Sequence, residues 1–105
     1  CDPVRVAQIM RILIDNALTH TPSGTQIVVT AGRENGRVRL AVRDDGEGID
    51  DRVQQRIFEP FFTADDAQGS GLGLAIASEL AERMAGKLSV RSGAGATTFT
   101  LDIPA

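Results

Sequence analysis

Asp44-Asp45-Gly46-Glu47-Gly48-Ile49 sets a carboxylate and two glycines at the end of an alternating apolar run. In Arg37-Val38-Arg39-Leu40-Ala41-Val42-Arg43 the apolar Val38, Leu40 and Val42 share one face, and Arg37, Arg39 and Arg43 share the other. That is the period-two pattern of a half-buried strand. Asp44 continues the inward parity. A carboxylate aimed inward needs a donor, because an unpaired one in low dielectric is costly. The glycines behind it tolerate positive φ and let bare backbone approach something flat. An acceptor beside bare backbone suits an amino-bearing heterocycle such as adenine. The same residues also make an ordinary turn after a strand.

Gly69-Ser70-Gly71-Leu72-Gly73-Leu74 has a related chemistry. It opens a helix expected over residues 75–85, in which Ile76, Leu80 and Met84 recur at helical spacing and Gly86 supplies the stop. Glycines at a helix start leave its unpaired N–H groups open to an anion, which is where phosphates bind. A Rossmann fingerprint is excluded, since Leu74 stands where the third glycine of G-x-G-x-x-G belongs and no strand precedes it; without G-K-[ST] a Walker A loop is excluded too.

A first helix runs from Pro3 to about His20, with Asp2 as N-cap and Val6, Ile9, Met10, Leu13, Ala17 and Leu18 as a broad buried stripe. Gln8, Ile12, Asn16 and His20 form a separate row at spacing i,i+4. A mid-helix Asn is commonly a solvated or locally bonded amide. Beside a phosphate its carbonyl oxygen suits Mg²⁺, which prefers oxygen ligands and keeps several waters.

Together these stretches resemble one family. Asp2-Pro3, Gln8 and Asp15-Asn16-Ala17-Leu18 look like an N box, Asp44 to Ile49 a G1 box, and Ile57-Phe58-Glu59-Pro60-Phe61-Phe62 an F box. Gly69 to Leu74 looks like a G2 box and Gly93-Ala94-Gly95-Ala96-Thr97-Thr98-Phe99 a final glycine-threonine motif. Five boxes in this order resemble the catalytic, ATP-binding domain of sensor histidine kinases, within the gyrase/chaperone/kinase/mismatch-repair ATPase superfamily.

The resemblance implies roles. Asn16 would coordinate Mg²⁺ on the ATP phosphates, and Asp44 would accept from the adenine amino group. Gly46, Gly48 and Ile49 would line the base pocket. Gly69, Gly71, Leu72 and Gly73 would form the lid hinge and offer N–H groups to the phosphates, and Thr97 would lie near adenine. Thr97 also reads as a plain inward strand residue with a satisfied hydroxyl, since it shares parity with Phe99, Leu101 and Ile103. His20 stands where the family often has an aromatic near the nucleotide, or is a helix C-terminal histidine favourable to the dipole. Phe58, with Phe61 and Phe62, is read first as a core or lid anchor and second as a ligand contact.

Three departures accompany the resemblance. Ile12 replaces the second polar residue common one turn before the metal-binding Asn; in gyrase-type ATPases that position is a water-activating Glu, a role Ile12 cannot fill. Thr19 stands at the usual basic position of the N box. There is no Lys or Arg between Arg56 and Arg83 to meet the terminal phosphate.

Composition sets outer limits. At 105 residues and 42% apolar, the chain suffices for one domain of two packed layers. A net charge of −3 without a basic run argues against nucleic acid or an anionic membrane as direct partner. Cys1 is the lone cysteine, so no internal disulfide is possible. No stretch approaches the roughly 20 apolar residues that span a bilayer.

Residues 25–31 read as a strand, residues 33–37 as a hairpin connection, and Asp50 or Asp51 as the cap of a short helix toward Phe58. Residues 61–69 read as a mobile loop. Residues 87–92 and 97–103 alternate and pair through Gly93-Ala94-Gly95. The expected fold class is α+β, a two-layer α/β sandwich with helices on one face of a mixed, mostly antiparallel sheet; the resemblance implies the Bergerat-type ATP-binding fold. It further implies an N-terminally truncated fragment, residues 1–105, of a two-component sensor kinase. Its cofactors would be ATP and Mg²⁺, and its partners the parent's dimerisation and phosphoacceptor domain and, indirectly, a response regulator. The domain would be cytoplasmic in a membrane-anchored parent. No catalytic residue is expected in the fragment itself, because His20 is the only histidine and lies in no phosphoacceptor context; the isolated domain should not autophosphorylate. The alternatives are a degenerate nucleotide-binding regulatory module and an anti-sigma-factor-type serine kinase of the same superfamily.

Overall fold

A computed structural model describes residues 3–20, 26–46, 51–54, 56–59, 73–93 and 95–104. In chain order these form α1 (Pro3–His20), β1 (Ile27–Glu34), β2 (Arg37–Asp44), α2 (Asp51–Gln54), α3 (Gly73–Arg83), β3 (Lys87–Gly93) and β4 (Ala96–Pro104). The strands make one sheet in the order β1-β2-β4-β3.

All three pairings among the described residues are antiparallel. The expected two-layer fold with a mostly antiparallel sheet is what these residues form: both hairpins and the β2–β4 contact join strands that reverse direction, and a parallel neighbour would need a longer crossover. The first hairpin is also tighter than expected. Asn35 (φ 53°) and Gly36 (φ 76°) form the whole turn, and Glu34 pairs with Arg37. An Asn-Gly pair with both φ values positive matches the right-handed twist of the flanking strands, so the strands run up to it on either side. In the second hairpin Gly93 pairs with Ala96, and Gly95 takes φ 77°.

The core lies between one sheet face and the two longer helices. Ile9, Leu13 and Ala17 of α1, Ala77 and Ala81 of α3, Val42, Leu88, Phe99, Leu101 and Ile103 are buried. On β4 the alternation is complete, with Thr97, Phe99, Leu101 and Ile103 buried and the intervening residues partly exposed. Two expected core residues are not in it: Leu18 is exposed, and Ile76 is 42% exposed. The ladder of four-residue steps drifts around a helix of 3.6 residues per turn. α3 therefore meets the core through its small residues Ala77 and Ala81, with Leu74, Leu80 and Met84 packed alongside.

The end of α3 also departs from expectation. Gly86 N–H donates to Ala81 O (2.9 Å) and Ala85 N–H to Glu82 O (3.0 Å), the two bonds of a Schellman cap. The left-handed residue of this cap is Ala85 (φ 59°), not Gly86. Gly86 is glycine for space: a Cβ there would lie 2.4 Å from Ile103 Cγ2 and 2.6 Å from the Asp102 carbonyl.

Candidate functional site

The register places one row of side chains across all four strands. Ile27 pairs with Asp44, Asp44 with Thr97, and Thr97 with Ser92. Asp44 and Thr97 are the buried polar residues among the described core, at 7% and 3% exposure. The Asp44 carboxylate finds its donor two residues on: Gly46 N–H donates to Oδ1 at 2.9 Å, the local Asx geometry that fixes a strand end. Gly46 is itself buried. Its contribution here is that N–H, while the left-handed glycines among the described residues are Gly36 and Gly95.

Thr97 is tied sideways into β3. Its Oγ1 lies 3.0 Å from Ser92 Oγ, which also donates to the Ala96 carbonyl at 3.3 Å. Ser92 N–H donates to Gln54 Oε1 at 3.3 Å and so links α2 to this corner. Neither Ser92 nor Gln54 stands out in the sequence reading. The available signal was parity, since Ser92 follows Leu88 and Val90 on the inward side of β3.

Phe58 sits in a turn over residues 56–59, closed by Glu59 N–H donating to Arg56 O (2.9 Å) and by an Arg56–Glu59 ion pair at 3.0 Å. Its ring packs edge-on against Phe99, with centroids 6.2 Å apart and planes at 78°. Phe99 is two residues along the same face from Thr97, so this turn packs beside the polar row.

The helices bring up a second group. Ile12, partly buried, lies 3.5 Å from where a Cβ of Gly73 would stand, so its row on α1 faces the first residue of α3. Asn16, partly buried, is one turn further along that row. Helix α1 extends to His20. Gly48, Ile49, Gly69, Gly71 and Leu72, like the expected loop over residues 61–69, lie outside the described residues, as does the side chain of His20. No cluster of three or more His, Cys, Asp or Glu able to hold a metal occurs among the described residues.

A family model described as "Histidine kinase-, DNA gyrase B-, and HSP90-like ATPase" matches residues 1–105. The alginate biosynthesis sensor protein KinB of Pseudomonas aeruginosa is 40% identical over 103 residues, covering 95% of this chain and 17% of that protein. The sensor histidine kinase YkoH of Bacillus subtilis is 41% identical over 102 residues, covering 92% and 22%. The chain thus spans about a fifth of these relatives' length. Among solved structures, the catalytic domain of histidine kinase ThkA superposes with a TM-score of 0.90 at 28% identity, covering 99% of this chain and 68% of that one. Full-length ShkA in complex with AMPPNP superposes at 0.86 with 36% identity, covering 95% and 21%.

Proposed function

This chain belongs to the histidine kinase-, DNA gyrase B- and HSP90-like ATPase family, and from that premise we propose that it binds Mg²⁺-ATP between its sheet and its helices for a sensor kinase that phosphorylates histidine. The observation that carries the reading is the Asp44–Thr97 pair, two buried polar residues facing each other in an otherwise apolar layer. Both are already held by neighbours, Asp44 by Gly46 N–H and Thr97 by Ser92, so the pair is a fixed polar spot at the edge of the core. A carboxylate oxygen left over from the Gly46 bond supplies an acceptor for an adenine amino group, and the ShkA structure holds an adenine nucleotide analogue in a related chain.

The remaining roles follow the same reading. Gly46, Gly48 and Ile49 line the base, with Phe58 anchoring the turn beside it. Gly69, Gly71, Leu72 and Gly73 lead into α3, whose N-terminus favours phosphate. Asn16, on the row that faces Gly73, is the residue that would offer a side-chain oxygen to Mg²⁺, an ion that prefers oxygen ligands. His20 ends the same row. When bound, the ion neutralises charge on the phosphates.

The chain's own part in transfer is positioning. Ile12 occupies the place where a carboxylate would activate water and has no proton to take or give. Bound ATP is therefore kept for another acceptor, a histidine on the parent's dimerisation domain, from which the phosphoryl group passes to a response regulator. The parent is read as a membrane-anchored sensor with this domain on the cytoplasmic side.

The test is the thermal shift of this domain with Mg²⁺-ATP, run beside Asp44→Asn and with GTP as control. Ligand at about 100 times its Kd stabilises a fold by roughly 2.7 kcal/mol, a shift of several degrees in a domain of this size. The expected result is a shift with ATP, a small one with GTP and little with Asp44→Asn. No ATP shift in the wild type overturns the reading.

A further inference from the structure

On the sheet face turned away from the helices, we propose that the trough along β4 is a docking site for an acidic segment of a protein partner, held by Arg37 and Arg39 on one wall and by Lys87 and Arg91 on the other.

The register builds this trough. Arg39 and Lys87 both stand across from Asp102, Ala41 and Ser89 from Thr100, and Arg43 and Arg91 from Thr98. The middle strand thus offers a floor of short side chains, Thr98 and Thr100, with Asp102 toward one end. The flanking strands β2 and β3 are two spacings apart, about 10 Å, and raise long cationic side chains on either side. That width admits one extended chain lying along β4. Side chains on one face of an extended chain recur about every 6.7 Å, the repeat of Arg37 and Arg39 themselves, so carboxylates on alternate residues meet the walls in step.

Charge decides the occupant. Four cations and one carboxylate line the trough, on a chain whose net charge is −3. The local excess is opposite in sign to the whole, which steers anionic partners to this face. A face that only meets water gains by setting opposite charges across from each other. Here Arg91 stands across from Thr98, and Lys87 across from an Asp102 already shared by two arginines. Lys87 and Arg91 are exposed and make no ion pair among the described residues.

Asp102 has a different part. It accepts from Arg37 on Oδ1 and from Arg39 on Oδ2, and so holds both guanidinium groups, each of which keeps further N–H donors for a second carboxylate. Side chains ordered beforehand lose less freedom on binding. A lipid surface is flat and would reach only the tips of these cations, with a net negative chain behind them.

Fluorescence anisotropy of a labelled peptide of alternating Glu and Ser, titrated with this chain, tests the proposal. The peptide should bind at low salt and weaken about fivefold as ionic strength rises from about 0.01 to 0.15 M and the screening length falls from about 30 to 8 Å. Lys87→Glu with Arg91→Glu should weaken it about tenfold at little cost in melting temperature, since both residues are exposed. Arg11→Glu with Arg33→Glu makes the same change in charge off this face, Arg33 being across from the core-packed Val38, and should leave binding nearly unchanged. No binding of the acidic peptide at low salt, or equal loss in the two double variants, overturns the site. So does capture of phosphatidylserine vesicles without capture of the peptide, which would make the face a lipid contact. The thermal shift with ATP should persist in Lys87→Glu with Arg91→Glu, so failure of the docking site and failure of the nucleotide reading are separate results.

Discussion

Asp102 shows how a single residue can be placed by its neighbours on the solvent face of the sheet. Arg37 Nε donates to its Oδ1, and Arg39 donates to its Oδ2 at 3.1 Å. These two side-chain hydrogen bonds, Arg37 first, hold the Asp102 carboxyl below the ordinary carboxylate range. The sign of the consequence is fixed. A carboxyl with a lowered folded pKa adds stability that is fully present above the unfolded-state pKa and is lost as pH falls through the folded one. Melting temperatures of wild type and Asp102→Asn should differ by a constant amount from neutral pH to about 5, converge below about pH 4, and lie closer together in high salt. A gap that ignores pH would assign the effect to packing. Ile12 is the contrasting residue. Its helical row was readable from spacing, but its packing against the start of α3 was not, because nothing in the sequence gives the distance between two helices.

The C-terminus of α3 carries the lesson of element scale. The Schellman cap puts Ala85 in a left-handed conformation that disfavours any residue with a Cβ, while Gly86 next to it faces the Ile103 side chain and the Asp102 backbone. Ala85→Gly should therefore stabilise the domain by up to about 1 kcal/mol, the relief of left-handed strain being partly offset by a freer unfolded chain. Gly86→Ala should cost about 1–3 kcal/mol, as overpacking does. Denaturant midpoints at unchanged slope would measure both. If the two variants behave alike, the division between conformation and space is wrong. The stop at Gly86 was legible in the sequence and its reason was not, because one glycine can serve either need. β2 and β4 were legible throughout, since alternation and burial coincide there. β1 was displaced by two residues at its described start and ran longer, because the Asn35-Gly36 turn consumes no strand residues. The face of α3 was misread at Ile76, because Ala77 and Ala81 carry little signal in hydrophobic periodicity although they allow close packing.

Across the whole molecule, chemistry divides between the two sides of the sheet. Inward, the row through Asp44, Thr97 and Ser92 borders an apolar core; outward, Arg37, Arg39 and Lys87 lie around Asp102, with Arg91 further along β3 opposite Thr98. The candidate residues were legible in the sequence as boxes in order, and strand parity put Asp44 and Thr97 on inward faces, but their pairing needed the register. The link through Ser92 needed the register, which fixes which hydroxyl meets which.

The edge of the same sheet makes a prediction about the domain as a particle. β1 pairs with β2 on one side, and among the described residues no strand covers the other. From Val28 to Glu34 every residue of β1 is exposed, with Val28 at 40% and Val29 at 50%. An eight-residue edge strand with exposed β-branched residues on both faces and no proline offers an unpaired ladder to a second chain. The isolated domain should accordingly self-associate weakly, seen as a sedimentation coefficient that rises with concentration. Val29→Lys should suppress that rise while shifting stability little, because Val29 is half in water already and a lysine stem covers the same neighbouring surface. Sedimentation that is flat with concentration, or that rises equally in Val29→Lys, would move the contact away from β1.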